Sequence, residues 1–359
     1  MHGVAENYMI ILYLFIFFCL CICVYNIKEA LTRYYDRKTR PKKLRAERQF
    51  IEASMKRIEA GGRPDRIRRT GFRSKDLLLF HAALCEEKDA NPGNEDLRAF
   101  SVRRIDQYIQ LCERKNPIIK NYLVFLIGYH QAYSSLAAKF LVDCLVENSI
   151  TIKMEVLRSM AKLGNSDLLI RGLEVLDERN IKMNDKMITD TLSDFEGFHE
   201  ELDPKLLAFM EHCGDYMKLA IITYFYANDM GLVRDKLVQL LEDGREDKEV
   251  TLRIIKYFGT IYDERAEEQL ISYALSDVWE YAAVAAKTLR NYPSAQTIAA
   301  AKKRLNDSNW YVRLNNAETL AQLCDRDQLE DVLASDDRYA REIMAYALER
   351  KETLGEKVR

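Results

Sequence analysis

Residues 307–313 read Asp-Ser-Asn-Trp-Tyr-Val-Arg and are followed by Ala317 and Leu320, and this pattern indicates the fold of the chain. Similar residues recur at the same offsets about thirty positions earlier and later. The matching positions are Ser276, Trp279, Tyr281, Ala282, Ala286 and Leu289 in the earlier copy, and Ser335, Arg338, Ala340, Arg341, Ala345 and Leu348 in the later one. A period of this length is typical of stacked helical units that cannot bury their apolar faces alone. It predicts a long binding surface rather than a single catalytic pocket.

The polar positions of this pattern carry a family resemblance. A turn aspartate precedes an arginine by six residues in Asp307/Arg313 and again in Asp247/Arg253, with an apolar residue just before each arginine. This spacing resembles the HEAT repeat. The resemblance implies that these residues, together with Arg341, form a ladder of polar contacts between neighbouring repeats. Armadillo-like and other helical-pair repeats have similarly degenerate patterns and remain alternatives.

The same resemblance implies a repeat core shared between neighbouring helices. The positions expected to fill it are Trp279, Leu289, Trp310, Leu320 and Leu348. Polar residues suited to cap a helix stand at the expected helix starts, for example at Asn184, Asp247 and Ser294, because their side chains can accept from the free amides of a first turn. The predicted fold is therefore all-α: a HEAT-like α-solenoid of helical pairs preceded by one N-terminal transmembrane helix.

The N-terminal segment predicts a membrane anchor. Residues 7–27 contain no charged side chain, and as a helix they would span about 31 Å, close to the thickness of a bilayer core. A secretory signal peptide is the competing interpretation. It usually has a basic start, a shorter apolar stretch and a small-residue cleavage site, which this segment lacks. The helix is expected to continue past Lys28 and to stop before Pro41, since proline removes a helical hydrogen bond.

Charge next to this segment predicts its orientation. Residues 28–75 contain 17 Lys and Arg against 6 Asp and Glu, and basic flanks stay in the cytoplasm. We therefore expect a single-pass protein of the cell membrane, with its N-terminus outside and its repeats in the cytoplasm. The membrane-proximal basic residues expected to meet lipid headgroups, here called the basic collar, are Arg37, Lys38, Arg40, Lys42, Lys43 and Arg45. The predicted organisation is an external N-terminus (1–6), a transmembrane helix (7–27), a basic juxtamembrane helix and linker (28–73) and a solenoid (74–359).

Composition bears on which functions are expected. The chain has a formal net charge of −2, so residues 76–359 carry −12, which disfavours nucleic acid as a partner. The eight cysteines show no Cys-x-x-Cys motif, and the five histidines show no recognised metal-ligand spacing. A phosphate-binding glycine loop and a nucleophile elbow are also missing from the sequence. No catalytic, cofactor-binding or metal-binding residue is predicted, and the chain is expected not to be an enzyme.

These patterns favour a membrane-anchored cytoplasmic scaffold or adaptor that binds protein partners on the solenoid surface and lipid through its helix and collar. One alternative is an accessory or regulatory subunit of a membrane enzyme or transporter, for example a polysaccharide synthase. A further alternative is a HEAT-like enzyme of the glycosylase or lyase type. The sequence leaves the partner and the oligomeric state open.

Overall fold

A computed structural model of the chain describes residues 2–60, 74–90, 94–112, 117–146, 150–228 and 231–356. The regular structure of these residues is helical throughout, with eighteen α-helices. They are α1 (His2–Glu59), α2 (Ser74–Ala90), α3 (Glu95–Cys112), α4 (Pro117–Tyr129), α5 (Ser135–Leu145), α6 (Ile150–Leu163), α7 (Ser166–Glu178), α8 (Asp185–Ser193), α9 (His199–Met210), α10 (Asp215–Ala227), α11 (Arg234–Asp243), α12 (Lys248–Phe258), α13 (Glu267–Ala274), α14 (Trp279–Thr288), α15 (Ala295–Lys303), α16 (Trp310–Leu323), α17 (Glu330–Leu333) and α18 (Arg338–Glu356). The chain divides into two compact units, residues 1–140 and 141–359. The expected linker before residue 74 lies mostly outside the described residues.

Alternate helices of the second unit form two layers. In one layer α8, α10, α12, α14, α16 and α18 pack in succession, and in the other α7 packs on α9 and α13 on α15. The predicted fold class is confirmed, since the helices form the pairs of an all-α HEAT-like solenoid. One apolar N-terminal helix precedes them and is long enough to be a candidate transmembrane span.

Capping residues explain where several of these helices begin. Asn184, Asp247 and Ser294 each accept a hydrogen bond from a backbone amide in the first turn of α8, α12 and α15. These bonds satisfy amides that have no partner within the helix. The expected starts at these three positions agree with the structure to within one residue.

The repeat-core residues divide into buried leucines and exposed tryptophans. Leu289 and Leu320 are buried, and Leu348 is partly buried against the C-terminal core. The expectation was wrong for Trp279 and Trp310, which are 45% and 48% exposed. Each tryptophan is the first residue of its helix, so its ring lies at the end of the helical layer rather than between layers.

The predicted break before Pro41 was also wrong, because α1 continues through it. A proline inside a helix costs about 3 kcal/mol through its missing donor and its ring clash. The helix is held beyond the proline by its contacts with α2 and α3, which bury Ile51 and Met55. Arg48 adds an ion pair, with its Nε 2.8 Å from Oε1 of the buried Glu87. Tertiary packing therefore offsets the local penalty.

Candidate functional site

Exposed aromatic side chains line the start of three neighbouring helices of one layer in the second unit. Trp279 begins α14, Trp310 and Tyr311 begin α16, and Tyr339 is the second residue of α18. The rings of Tyr311 and Tyr339 are 57% and 63% exposed. These four residues are here called the aromatic row. Tryptophan, tyrosine and arginine are the residues enriched where protein interfaces concentrate their binding energy.

Three of the four rings of the row contact one another, and the fourth contacts an arginine. Tyr311 stacks on Trp279 with a centroid distance of 6.2 Å and an interplanar angle of 26°, and it meets Trp310 edge-on at 5.2 Å. The guanidinium carbon of Arg313 lies 5.3 Å from the ring centroid of Tyr339. Contacts of this kind hold the rings before any partner binds, which lowers the entropy lost on association.

The predicted ladder arginines make two kinds of contact. Arg313 donates to the backbone carbonyl of Asp307, and Arg341 donates to that of Ser335, each at 2.6 Å. These two bonds join each arginine to the turn before its own helix, so they do not link neighbouring repeats as the resemblance implied. The reason at Asp307 is that its carboxylate is already engaged by Arg304, 2.7 Å away.

Arg253 is the ladder residue whose polar contacts do reach other helices. It donates to the hydroxyl of Thr223 on α10, and its Nη2 lies 3.5 Å from the carboxylate of Asp185 on α8. Asp247 does not take part in these contacts and instead caps α12 by accepting from the amide of Glu249 at 2.8 Å.

Two threonines carry repeat-to-repeat bonds that the sequence pattern did not single out. Thr288 donates to the carbonyl of Ile255 at 3.0 Å, and Thr319 donates to the carbonyl of Ala286 at 2.7 Å. Both threonines are buried and stand at equivalent positions of successive repeats. Their recurrence about thirty residues apart was a signal available in the sequence.

The basic collar follows the apolar part of α1. All six of its side chains are exposed, as are the apolar side chains from Tyr13 to Ile27 that precede it. Arg40 and Lys43 border a cavity of about 380 Å³ whose walls include Leu78 and His81. The collar therefore adjoins a largely apolar cavity within the first unit.

A cluster of possible metal ligands lies in the same unit. His81 and Cys85 are one turn apart on α2, and His130 directly follows α4. Nδ1 of His81 is 3.0 Å from Nε2 of His130, and Sγ of Cys85 is 3.7 Å from Nδ1 of His81. The three ligand atoms all lie within 4.8 Å of one another. This group is here called the histidine–cysteine cluster.

Burial determines the charge state of this cluster. It lowers the pKa of His130 to about 3, with a further contribution from His81, and it also lowers the pKa of His81. Burial raises the pKa of the Cys85 thiol. At neutral pH the cluster therefore holds two uncharged imidazoles and a protonated thiol. The rings of Tyr129 and Phe125 pack against His81 at centroid distances of 5.0 and 5.7 Å.

The sequence relates only two of the three residues of this cluster to each other. His81 and Cys85 are four residues apart within a predicted helix, so they share one face. The prediction that no histidine has a metal-ligand spacing did not take this His81–Cys85 pair into account. His130 comes from a different helix, and only the packing of α2 near α4 brings it to the other two.

A second histidine cluster lies in the other unit and connects α9 to α10. The hydroxyl of Tyr224 donates to Oδ1 of Asp203 at 2.9 Å and lies 2.8 Å from Nδ1 of His199. Tyr224 and Asp203 are buried, and burial raises the pKa of each. These residues are here called the tyrosine network.

Comparisons with known proteins identify helical repeats in the C-terminal part of the chain. Residues 267–349 match a family model described as HEAT repeats. No curated protein matches the chain. Among the solved structures, human deoxyhypusine hydroxylase in complex with glycerol is similar at 14% sequence identity and a TM-score of 0.29, covering 86% of this chain and 98% of that one.

These findings correct one expectation and confirm another. The expectation that the chain is not an enzyme was wrong as a conclusion from the fold, because a HEAT fold alone does not exclude catalysis. The resemblance to HEAT repeats is confirmed by the family match and by the helical pairs of the second unit. The family match over residues 267–349 and the all-helical structure together support a HEAT-repeat superfamily protein.

Proposed function

We propose that this chain is a membrane-anchored HEAT-repeat scaffold that holds a protein partner at the cytoplasmic face of the cell membrane. The aromatic row is its binding surface. The observation that carries the proposal is the presence of half-exposed aromatic rings on three successive repeats, two of which are joined by a stacked pair of rings. Such rings gain free energy when a partner removes them from water.

The case for the anchor rests on exposure and charge. The apolar side chains from Tyr13 to Ile27 face outward along α1, and a lipid environment would remove that surface from water. The exposed basic collar follows directly, where each Lys or Arg near an anionic leaflet contributes about 1 kcal/mol. Basic residues on this side favour a cytoplasmic location for the repeats.

An accessory subunit of a membrane enzyme or transporter is the second candidate. It is favoured by the continuity of α1, which joins the apolar segment to the helical turns that pack against α2 and α3. A polytopic partner could contact the span and the first helices together. In that case the identity of the span, and not only its presence, would matter for binding.

The first experiment separates tethering from recognition. Full-length protein in native membranes is compared with a variant whose residues 7–27 are replaced by an unrelated transmembrane helix. Both should resist alkaline extraction from membranes, and an extractable full-length protein would contradict the anchor. Equal crosslinking of one partner by both forms supports the scaffold, whereas loss with the replaced helix supports the accessory subunit.

The second experiment tests the aromatic row. Trp279→Ala combined with Trp310→Ala should weaken partner binding by at least about 2 kcal/mol, or roughly 30-fold, as loss of interface hot spots does. Phe198→Ala is the matched control, since that ring lies in the same unit and is 75% exposed. If partner binding is unchanged in the double variant, or equally reduced in the control, the aromatic row is not the binding surface.

A further inference from the structure

We propose that the histidine–cysteine cluster is a zinc site in which His81, Cys85 and His130 are the ligands. This proposal is independent of the scaffold role, because it concerns the first unit and not the aromatic row. It adds a metal to a chain whose sequence predicts none.

The spacing of the ligand atoms fits a tetrahedral ion. Zinc bond lengths place two nitrogen ligands about 3.3 Å apart, and a sulfur and a nitrogen about 3.6 Å apart. The observed separations are 3.0 Å between His81 Nδ1 and His130 Nε2, and 3.7 Å between Cys85 Sγ and His81 Nδ1. The third separation, between the ligand atoms of Cys85 and His130, is at most 4.8 Å, so a side-chain movement of up to about 1 Å would complete the geometry.

The donor atoms select the class of metal. Two imidazoles and a thiolate suit zinc and other borderline transition metals, whereas magnesium and calcium require oxygen ligands. The three described ligands leave a fourth tetrahedral position for a water molecule. His81 borders the cavity lined by Arg40 and Lys43, so solvent can reach the cluster.

Binding is a ligand exchange with a simple proton balance. The Cys85 thiol loses its proton to solvent and its sulfur forms the bond to zinc. The hydrogen bond between His81 Nδ1 and His130 Nε2 breaks, and the proton held there moves to the other nitrogen of the same ring. Both imidazoles remain neutral, so one proton is released for each ion bound.

A purely structural role accounts less well for the contacts of Cys85. Its Sγ lies 3.7 and 3.9 Å from the two ring nitrogens of His81 and 4.0 Å from the hydroxyl of Tyr129. Hydrogen bonds to sulfur are weak at these distances, so Cys85 contributes little to the stability of the fold through them. The oxygen and nitrogen atoms of the tyrosine network make stronger bonds, at 2.8 and 2.9 Å.

The test uses the full chain in detergent, titrated with Zn²⁺ against a chromophoric chelator. Cys19, Cys21 and Cys23 are exposed, so they are first replaced by alanine to remove competing thiols. One saturable equivalent of zinc is expected. His81→Gln and Cys85→Ser should each weaken zinc binding by more than roughly 10–100-fold, which is the loss caused by removing a group that only hydrogen-bonds to a metal ligand.

The matched control is His212→Gln, an exposed histidine of the second unit that should leave zinc binding unchanged. A second measurement replaces Zn²⁺ with Co²⁺, where a thiolate-to-metal charge-transfer band should form and be lost in Cys85→Ser. Circular dichroism checks that each variant remains helical. The proposal is overturned if no saturable equivalent binds, or if folded His81→Gln and Cys85→Ser bind zinc as the parent does.

Discussion

The two histidine clusters of this protein differ in how completely their polar atoms are bonded. In the tyrosine network, the Tyr224 hydroxyl bridges Asp203 and His199 at normal hydrogen-bond distances in a buried setting. In the histidine–cysteine cluster, one short contact joins two imidazoles and the thiol makes only weak hydrogen bonds beside them. The first arrangement is that of a structural element, and the second gathers three possible metal-ligand atoms within 4.8 Å of one another.

The difference teaches how burial can serve two purposes. Burying a polar group is costly unless its bonds are made, so a closed network contributes to folding. Burying imidazoles among aromatic rings instead keeps them neutral, which is the state in which they bind a metal. Metal binding, substitution and pH affect the two clusters differently.

Zinc should stabilise only the histidine–cysteine cluster. At a free Zn²⁺ concentration of 100 times Kd, the free energy of opening of α2 and α4 should rise by about 2.7 kcal/mol. Hydrogen exchange with mass spectrometry over residues 74–90 and 117–129 measures this, and a chelator should reverse it. Peptides from residues 199–227 should not change, and equal protection there would contradict a local site.

Tyr224→Phe should destabilise the second unit by about 1–3 kcal/mol, because the buried Asp203 carboxyl loses its hydrogen-bond donor. Denaturant unfolding followed by tryptophan fluorescence reports this unit, since both tryptophans of the chain lie in it. Tyr226→Phe is the control, as that ring is partly exposed, and its effect should stay within about 0.5 kcal/mol. Equal effects of the two substitutions on unfolding would show that the hydrogen bonds of the tyrosine network do not contribute to stability.

Acidification should destabilise the metal-free histidine–cysteine cluster. The pKa of His130 is about 3 in the folded chain against 6.5 for an ordinary histidine, so the unfolded state binds the extra proton. The contribution of His130 to the free energy of unfolding is fully present above pH 6.5 and is lost as the pH falls toward 3. At pH 5.5 the free energy of unfolding should be about 1.4 kcal/mol lower than at pH 8. His81, whose pKa is also lowered, acts with the same sign.

Hydrogen exchange of α4, corrected for intrinsic rates, measures this dependence, and His130→Phe should reduce it. Asp203 changes stability with pH in the opposite direction, because its raised pKa means that the folded state binds the carboxyl proton more tightly than the unfolded state does. Its contribution therefore favours folding as pH falls. A slope in α4 that survives His130→Phe would show that other groups cause it.

Cys85→Ser should have the smallest effect. In the metal-free protein it should change stability by no more than about 0.5 kcal/mol, because the side chain is partly exposed and its contacts are loose. Cys112→Ser is the matched change in the same unit, and a hydroxyl at this buried site should cost about 1–3 kcal/mol. Hydrogen exchange over residues 74–112 measures the effects of both substitutions. A large effect of Cys85→Ser would show that the Cys85 side chain stabilises the fold.

Local patterns in the sequence predicted the fold well. The recurrence around residues 307–313 required stacked helical pairs, and Asn184, Asp247 and Ser294 marked helix starts, because periodicity and capping act over a few residues. The exposure of Trp279 and Trp310 was not predicted. Their shared offset indicated a common position in the repeat, but not whether that position lay inside or at the end of the layer.

The repeat, the apolar segment and the charge that follows it could be read from the sequence, because each depends on residues close together in the chain. Tertiary structure alone decided that α1 continues through Pro41, because distant packing outweighs a local penalty. It also decided that His130 meets His81 and Cys85. Side chains on separate helices meet only through packing, and no local pattern records which helices will be neighbours.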